Sequence, residues 1–188
     1  MPLKIQFISN YSSLYGANRS LLTLVKYFHH NNKYSVRVLL PSQGTFSQQL
    51  EREGISYSII PYYSAFLYIR FKWKHIIVPL LAILDIFIFP FILWRIKKFD
   101  PDLIYSNTSA ENLGLFVAKV LNTKHISHIR EFMSLDHNSY FIFGSKLKRK
   151  FINLSDGVIF VSRSVYEVVM QNKSLSDNKV VIHNGIDI

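Results

Sequence analysis

Short runs of β-branched and aromatic residues alternate with longer stretches of helical periodicity along almost the whole chain. This alternation is the pattern of a parallel sheet covered by helices on both faces. Strands are expected at Leu3–Ser9, Val36–Leu40, Tyr57–Ile60, Asp102–Ser106, His125–Arg130, Gly157–Val161 and Lys179–His183. Between Asn18 and Phe28, the apolar residues Leu21, Leu22, Val25 and Phe28 form one helical face. A short helix is expected to start at Thr45, where Thr45 and Gln48 have capping-box spacing, and to stop at Gly54. Another should run from Ser109 to Leu121, with Glu111 in its first turn, where the helix dipole favours an anion. Lys146–Asn153 reads as a basic helical piece, and Ser162 is placed to cap a helix reaching Met170. With no internal repeat and no low-complexity linker, residues 1–188 read as one doubly wound, mainly parallel α/β domain. In such sheets ligands bind outside the carboxyl ends of the strands, so the loops there are where function is sought.

Charge and composition narrow the partners. The formal net charge is +10, which favours nucleic acid, anionic lipid headgroups or phosphorylated substrates, or else marks a plain solvated surface. No RNP, KH or helix-turn-helix pattern accompanies the charge, so nucleic acid is not the expected partner. The absence of cysteine excludes disulfides and thiolate catalysis and suits a reducing cytoplasm. Met1-Pro2-Leu3-Lys4 leads straight into the first strand, so no secretory signal is expected.

The loop Ser9–Ser20 follows the first strand and opens a helix. Gly16 and Ala17 would let a ligand approach its backbone, and the helix start, with Asn18, attracts anions. A lone glycine here is equally a simple turn. The dinucleotide pattern G-x-G-x-x-G and the P-loop pattern are both missing.

Four strings in order carry a resemblance. Tyr15-Gly16-Ala17-Asn18-Arg19-Ser20-Leu21-Leu22 resembles the G-G-A-E-R-x-L motif of family-4 retaining glycosyltransferases. Asp100-Pro101-Asp102-Leu103-Ile104-Tyr105-Ser106-Asn107 is similar to that family's P-D strand, and Asp156–Ser162 to its D-x-v-i-x-v-S strand. Val180–Asp187 resembles its v-I-x-N-G-v-D junction with a second domain. The resemblance implies the Rossmann-like, acceptor-binding half of a GT-B fold. It implies transfer from a nucleotide sugar to a glycan or lipid-linked acceptor, with retention, no required metal and no cofactor beyond the sugar-nucleotide substrate. The donor-binding C-terminal domain would be the missing partner, and residues 1–188 alone would be inactive. The alternatives are a non-catalytic sugar-binding subunit of a split transferase, or a basic nucleic-acid-binding α/β domain.

The same resemblance implies the site residues. The backbone at Gly16 would lie near the donor diphosphate or the transferred sugar, with Ala17, Asn18, Asn107, Thr108, Glu111, Ser162, Asn184 and Gly185 around the cleft. Where many members carry His-Asp, this chain has Arg130-Glu131, two residues beyond His128. Strand alternation puts His128 and Arg130 on one face. Arg130 is then the cleft residue that would hold phosphate, with Glu131 beside it. Their alternative is a structural ion pair. For His128 it is a core histidine, for Thr108, Ser109 and Ser162 helix caps, and for Asn184-Gly185 a turn.

Between Tyr62 and Lys98 the composition changes. Phe66, Tyr68, Phe71 and Trp73 interleave with Arg70, Lys72 and Lys74, followed by an apolar run from Ile76 to Trp94. That run approaches the roughly 20 residues of a membrane span. Asp85 near its centre, with Pro79 and Pro90, argues against spanning. Two readings stay open: a core helix reached through an aromatic loop, or docking of Ala65–His75 at the inner, cytoplasmic face of an anionic membrane. Lys146, Lys148, Arg149 and Lys150 would add attraction to such a surface.

Overall fold

The computed structural model describes residues 1–63, 66–68, 74–132, 139–141, 144–171 and 177–185, and the backbone alone of 66–68, 74–79, 82, 139 and 140. Seven strands form one sheet: β1 (Leu3–Ile8), β2 (Tyr34–Leu40), β3 (Tyr57–Ile59), β5 (Leu103–Ser106), β6 (Lys124–Ile129), β8 (Gly157–Phe160) and β9 (Lys179–Val181). Their order is β3-β2-β1-β5-β6-β8-β9, and every pair is parallel. The chain winds outward from β1 to β3, then returns to β5 on the other side of β1. That reversal opens a crevice at the carboxyl ends of β1 and β5.

The helices are α1 (Gly16–His29), α2 (Thr45–Arg52), α3 (Lys74–Phe99), α4 (Leu113–Leu121), α5 (Gly144–Asn153) and α6 (Arg163–Met170). Strand alternation divides the core between the two faces of the sheet. On one, Ile5, Phe7, Val36, Val38 and Leu40 pack against Leu21 and Val25 of α1 and Phe46 and Leu50 of α2. On the other, Ile8, Leu39 and Ile104 meet Ile92 and Ile96 of α3 and Val117 and Ala118 of α4. A third cluster joins Ile129, Val158 and Phe160 to Ile152 of α5 and Val165, Tyr166 and Val169 of α6. Each such side chain withdrawn from water contributes about 1.5–3 kcal/mol.

Several local expectations are corrected. α2 is capped at Gly44, whose N–H donates to Ser47 Oγ, rather than by Thr45 and Gln48. Thr45 Oγ1 instead accepts from the Leu14 N–H. α4 begins at Leu113, not Ser109, because residues 107–111 are drawn into side-chain hydrogen bonds described below. Phe66–Tyr68 is a strand, β4, paired antiparallel with β7 (Ser139–Phe141), where a loop was expected.

α3 runs unbroken for 26 residues through both Pro79 and Pro90. An interior proline costs about 3 kcal/mol, and the turns flanking Pro90 offset it by burying Ile88, Phe89, Ile92 and Ile96 against the sheet. Asp85 sits on the same side as these residues, and both its carboxylate oxygens accept from the Tyr63 N–H at 3.1 and 3.2 Å. Burial raises the Asp85 pKa to about 6, with the Tyr63 hydrogen bond opposing. Among the described residues no helix is long and apolar enough to cross a membrane.

Candidate functional site

The strand ends bring together residues that are far apart in sequence. Tyr105 on β5 and Asn107 just beyond it share a sheet face with His128 on β6 and Arg130 beyond that. Arg130 is the hub. Its Nε donates to Asn107 Oδ1 at 2.9 Å, Nη1 to Asn184 Oδ1 at 2.7 Å and Nη2 to His128 Nδ1 at 3.2 Å. The Tyr105 hydroxyl also bonds His128 Nδ1. Arg130 is an obligate donor, so Nδ1 must accept and the imidazole proton lies on Nε2. That Nε2 is buried and has no hydrogen-bond partner among the described residues.

Burial governs the charges here. Desolvation, assisted by the Arg130 charge, pulls His128 down to about 3, so the ring is neutral across the physiological range. Burial pushes the Tyr105 phenol up to about 12, against the lowering effect of Arg130. The guanidinium pKa is itself lowered by burial, yet arginine stays protonated. No carboxylate lies within ion-pair distance of Arg130 among the described residues. The cation is therefore oriented by neutral acceptors, and the charge of Glu131 acts on it only from beyond ion-pair distance.

Asn107 links this group to the first loop, because its Nδ2 donates to Ala17 O at 3.1 Å. Gly16 opens α1 with φ of +28°, a backbone that disfavours a side chain, and no atom lies within 4 Å of where its Cβ would stand. The turn thus presents bare backbone to open space near Arg130. Asn184 reaches Arg130 through its side chain, and the neighbouring Gly185 is exposed with nothing within 4 Å of its Cβ position.

Other expected residues sit differently. Asn18 is fully buried: Oδ1 accepts from Ser9 Oγ at 2.6 Å, and Nδ2 donates to the Tyr11 and Ser13 carbonyls, both at 2.9 Å. It is a strut that shapes the loop, with no group left for a ligand. Glu131 is not ion-paired to Arg130. Its Oε1 accepts from Thr108 Oγ1 at 2.6 Å, and its Oε2 from the Ser109 N–H and Oγ, each at 3.3 Å. Thr108 and Ser109 therefore serve this carboxylate instead of capping α4. Ser162 caps α6, accepting from the Val165 N–H at 3.2 Å.

Glu111 lies with the opposite sheet face, where it accepts from the Gly114 N–H at 3.2 Å. Burial raises its pKa, and the Ser106 hydroxyl, that N–H and the charge of Lys148 oppose the rise. Lys148 was expected on a basic surface but is buried: Nζ donates to Asn112 Oδ1 at 2.7 Å and stands 5.3 Å from the Phe141 ring centroid. Helical phase decides this. In α5, Lys146 and Lys150 face out, while Lys148 points with Ile152 into the fold. Arg70, Phe71, Lys72 and Trp73 lie outside the described residues, and for Phe66, Tyr68 and Lys74 only the backbone is described.

Tyr105 was not anticipated as a site residue. Its signal was available: period-two alternation places it with Asn107, which the P-D string had already singled out. Among the described residues no cluster of three or more metal-ligating side chains is present.

The fold matches known structures. The crystal structure of Anabaena Alr3699/HepE in complex with UDP and glucose superposes with a TM-score of 0.69 at 21% identity, covering 98% of this chain and 45% of that one. A glycosyltransferase from Rickettsia africae ESF-5 gives 0.67 at 16% identity, covering 99% and 44%. Acinetobacter baumannii MurG gives 0.61 at 14% identity, covering 95% and 44%. The chain thus spans a little under half the length of the structures it matches. No curated protein sequence matches it. The model of Glycosyltransferase Family 4 matches residues 15–188, from the Gly16 turn to the last residue. The doubly wound sheet, the crevice beside β1 and that match along nearly the whole chain show that it belongs to Glycosyltransferase Family 4.

Proposed function

We propose that this chain is the acceptor-side half of a glycosyltransferase that moves a sugar from a nucleotide-sugar donor to a glycan or lipid-linked acceptor. The observation that carries the reading is Arg130. It is a guanidinium at the carboxyl edge of the sheet, held in place by neutral acceptors and linked through Asn107 to the bare backbone of the Gly16 turn. A cation preorganised in this way suits the diphosphate of a donor, whose negative charge grows as the sugar departs. The nucleotide is held mainly by a donor-binding second domain, and no cofactor or metal is needed beyond the donor substrate. Family membership and the solved complexes of Alr3699/HepE with UDP and with UDP-glucose support nucleotide-sugar chemistry.

Transfer takes place at the cytoplasmic face of a membrane, where the net charge of +10 draws the domain to anionic lipid and residues 66–74 make contact. Reaction requires groups from both walls of the cleft, so residues 1–188 alone bind without turning over. Calorimetric titration with inorganic pyrophosphate and with UDP tests the site. Arg130→Gln should weaken binding by about tenfold or more, the loss of one charge-assisted contact of at least about 1.4 kcal/mol. Equal affinity in wild type and variant would remove Arg130 from the site. Turnover of a nucleotide sugar by this chain alone would overturn the half-enzyme reading.

A further inference from the structure

A helix that only covers a sheet needs one apolar stripe, yet α3 is apolar all round. Its inner stripe, Ile88, Ile92 and Ile96, is packed on the sheet. Its outer side carries Leu80, Ile83, Phe87, Phe91 and Trp94, and Phe87 is 76% exposed. From Leu80 to Trp94 this face extends about 21 Å at 1.5 Å per residue. The helix's one acid, Asp85, is turned inward to the Tyr63 N–H, so the outer face holds no carboxylate. Arg95, Lys97 and Lys98 follow at the carboxyl end, with Lys98 Nζ 5.9 Å from the Trp94 ring centroid.

We propose that the outer face of α3 docks on an anionic membrane leaflet, the helix lying in the plane of the headgroup–acyl boundary. Phe87, Phe91 and Trp94 enter the acyl edge, and Lys97 and Lys98 meet lipid phosphates. The arrangement of charge selects lipid over a second copy of the chain. Two copies pairing through this face would bring no acid to the lysines, whereas an anionic leaflet offers apolar depth and phosphate together. The committed inner stripe selects lying over spanning, since a span would strip Ile88, Ile92 and Ile96 from the sheet. The proposal rests on the membrane reading above but assigns contact to a different segment of the chain from residues 66–74.

The chain has two tryptophans, Trp73 and Trp94, one in each of the two segments, which report on them separately. Trp73→Phe leaves Trp94 as the only reporter, and Trp94→Phe leaves Trp73. Fluorescence is measured with vesicles of phosphatidylglycerol and phosphatidylcholine whose acyl chains are brominated near the headgroup or near the tail. Phosphatidylcholine vesicles serve as the control. Quenching of Trp94 by anionic, shallow-brominated vesicles is the expected result. Adding Phe87→Trp to a chain freed of both tryptophans should give the same shallow preference. Phe87→Gln with Phe91→Gln should weaken vesicle binding by about tenfold or more and leave the unfolding midpoint unchanged or higher, since both side chains face outward. Quenching of Trp73 alone would overturn the α3 proposal and keep the earlier membrane reading, and quenching of neither would end both. Deep quenching from the Phe87→Trp chain would replace docking by spanning. A concentration-dependent dimer lost in the Gln variant, with no quenching, would assign the face to a second copy.

Discussion

His125 makes the fold sensitive to acid by a calculable amount. The ring is buried on β6, with Nε2 3.0 Å from Ser106 Oγ and Nδ1 3.0 Å from Ser155 Oγ. Desolvation pulls its pKa from 6.5 down to about 4, against the raising effect of Asp156. As the pH falls below 6.5, the unfolded chain takes up a proton that the folded chain refuses. The stability contributed by the neutral ring is therefore complete above 6.5 and drains away as the pH falls towards 4. At about 1.36 kcal/mol for each tenfold change in acidity constant, that window is worth about 3 kcal/mol, a sizeable part of the 5–15 kcal/mol typical of a domain. His125→Gln removes the titration. Urea unfolding of wild type and variant, followed from near pH 7 to about pH 4, measures the difference in stability at each pH. The other titrating groups are common to both chains and cancel in that difference. The advantage of wild type over variant should shrink by about 3 kcal/mol across the window. A difference that stays constant with pH would refute the argument, because the ring would then be solvated or already charged in the folded state.

Two further sites, Lys148 and Gly114, test the packing beneath the strand ends, each with a companion substitution. Lys148→Met should cost about 3–5 kcal/mol in thermal unfolding, because it leaves Glu111 buried without its cation. Lys150→Met on the outer side of α5 should change stability by less than about 0.5 kcal/mol. Gly114→Ala should destabilise by about 1–3 kcal/mol despite alanine's better helix propensity. The new Cβ would stand 2.2 Å from Ser106 Oγ, 3.2 Å from His125 Nε2 and 3.3 Å from Ile8 Cδ1. Adding Ser106→Ala should recover part of that loss, and no recovery would place the strain elsewhere.

Strand and helix order could be read from the sequence because each element's pattern is local. The alternation of Ile5 and Phe7 with Gln6 and Ile8, and the spacing of Leu21 and Val25, depend on neighbours a few residues away. The pairing of His128 with Arg130 followed from the same alternation, and the 3.2 Å contact between them agrees with it. The acceptors of Arg130 could not be read so directly. Asn107 and Asn184 are 23 and 54 residues away, and only the parallel order β5-β6-β8-β9 makes them neighbours. The same distance in sequence hid the true partners of Glu131, so an ion pair with its neighbour Arg130 stayed open until Thr108 and Ser109 were placed beside it. Lys148 was misplaced because composition counts a lysine as a surface charge, while helix phase and a buried acid across the fold kept it inside.

By itself, then, the sequence determined the doubly wound class and the chain order of the seven strands of the main sheet. Those follow from periodicity, turn residues and capping, which act over one or two turns of chain. Tertiary structure alone decided which polar groups are bound to each other and which stay open at the strand ends. It turned Asn18 into a strut, anchored Glu131 with hydroxyls and left Arg130 charged among neutral acceptors. It also divided α3 into an inner stripe packed on the sheet and an outer apolar face. A side chain's solvation and partners depend on groups distant in sequence, and only the folded sheet brings those groups within hydrogen-bonding reach.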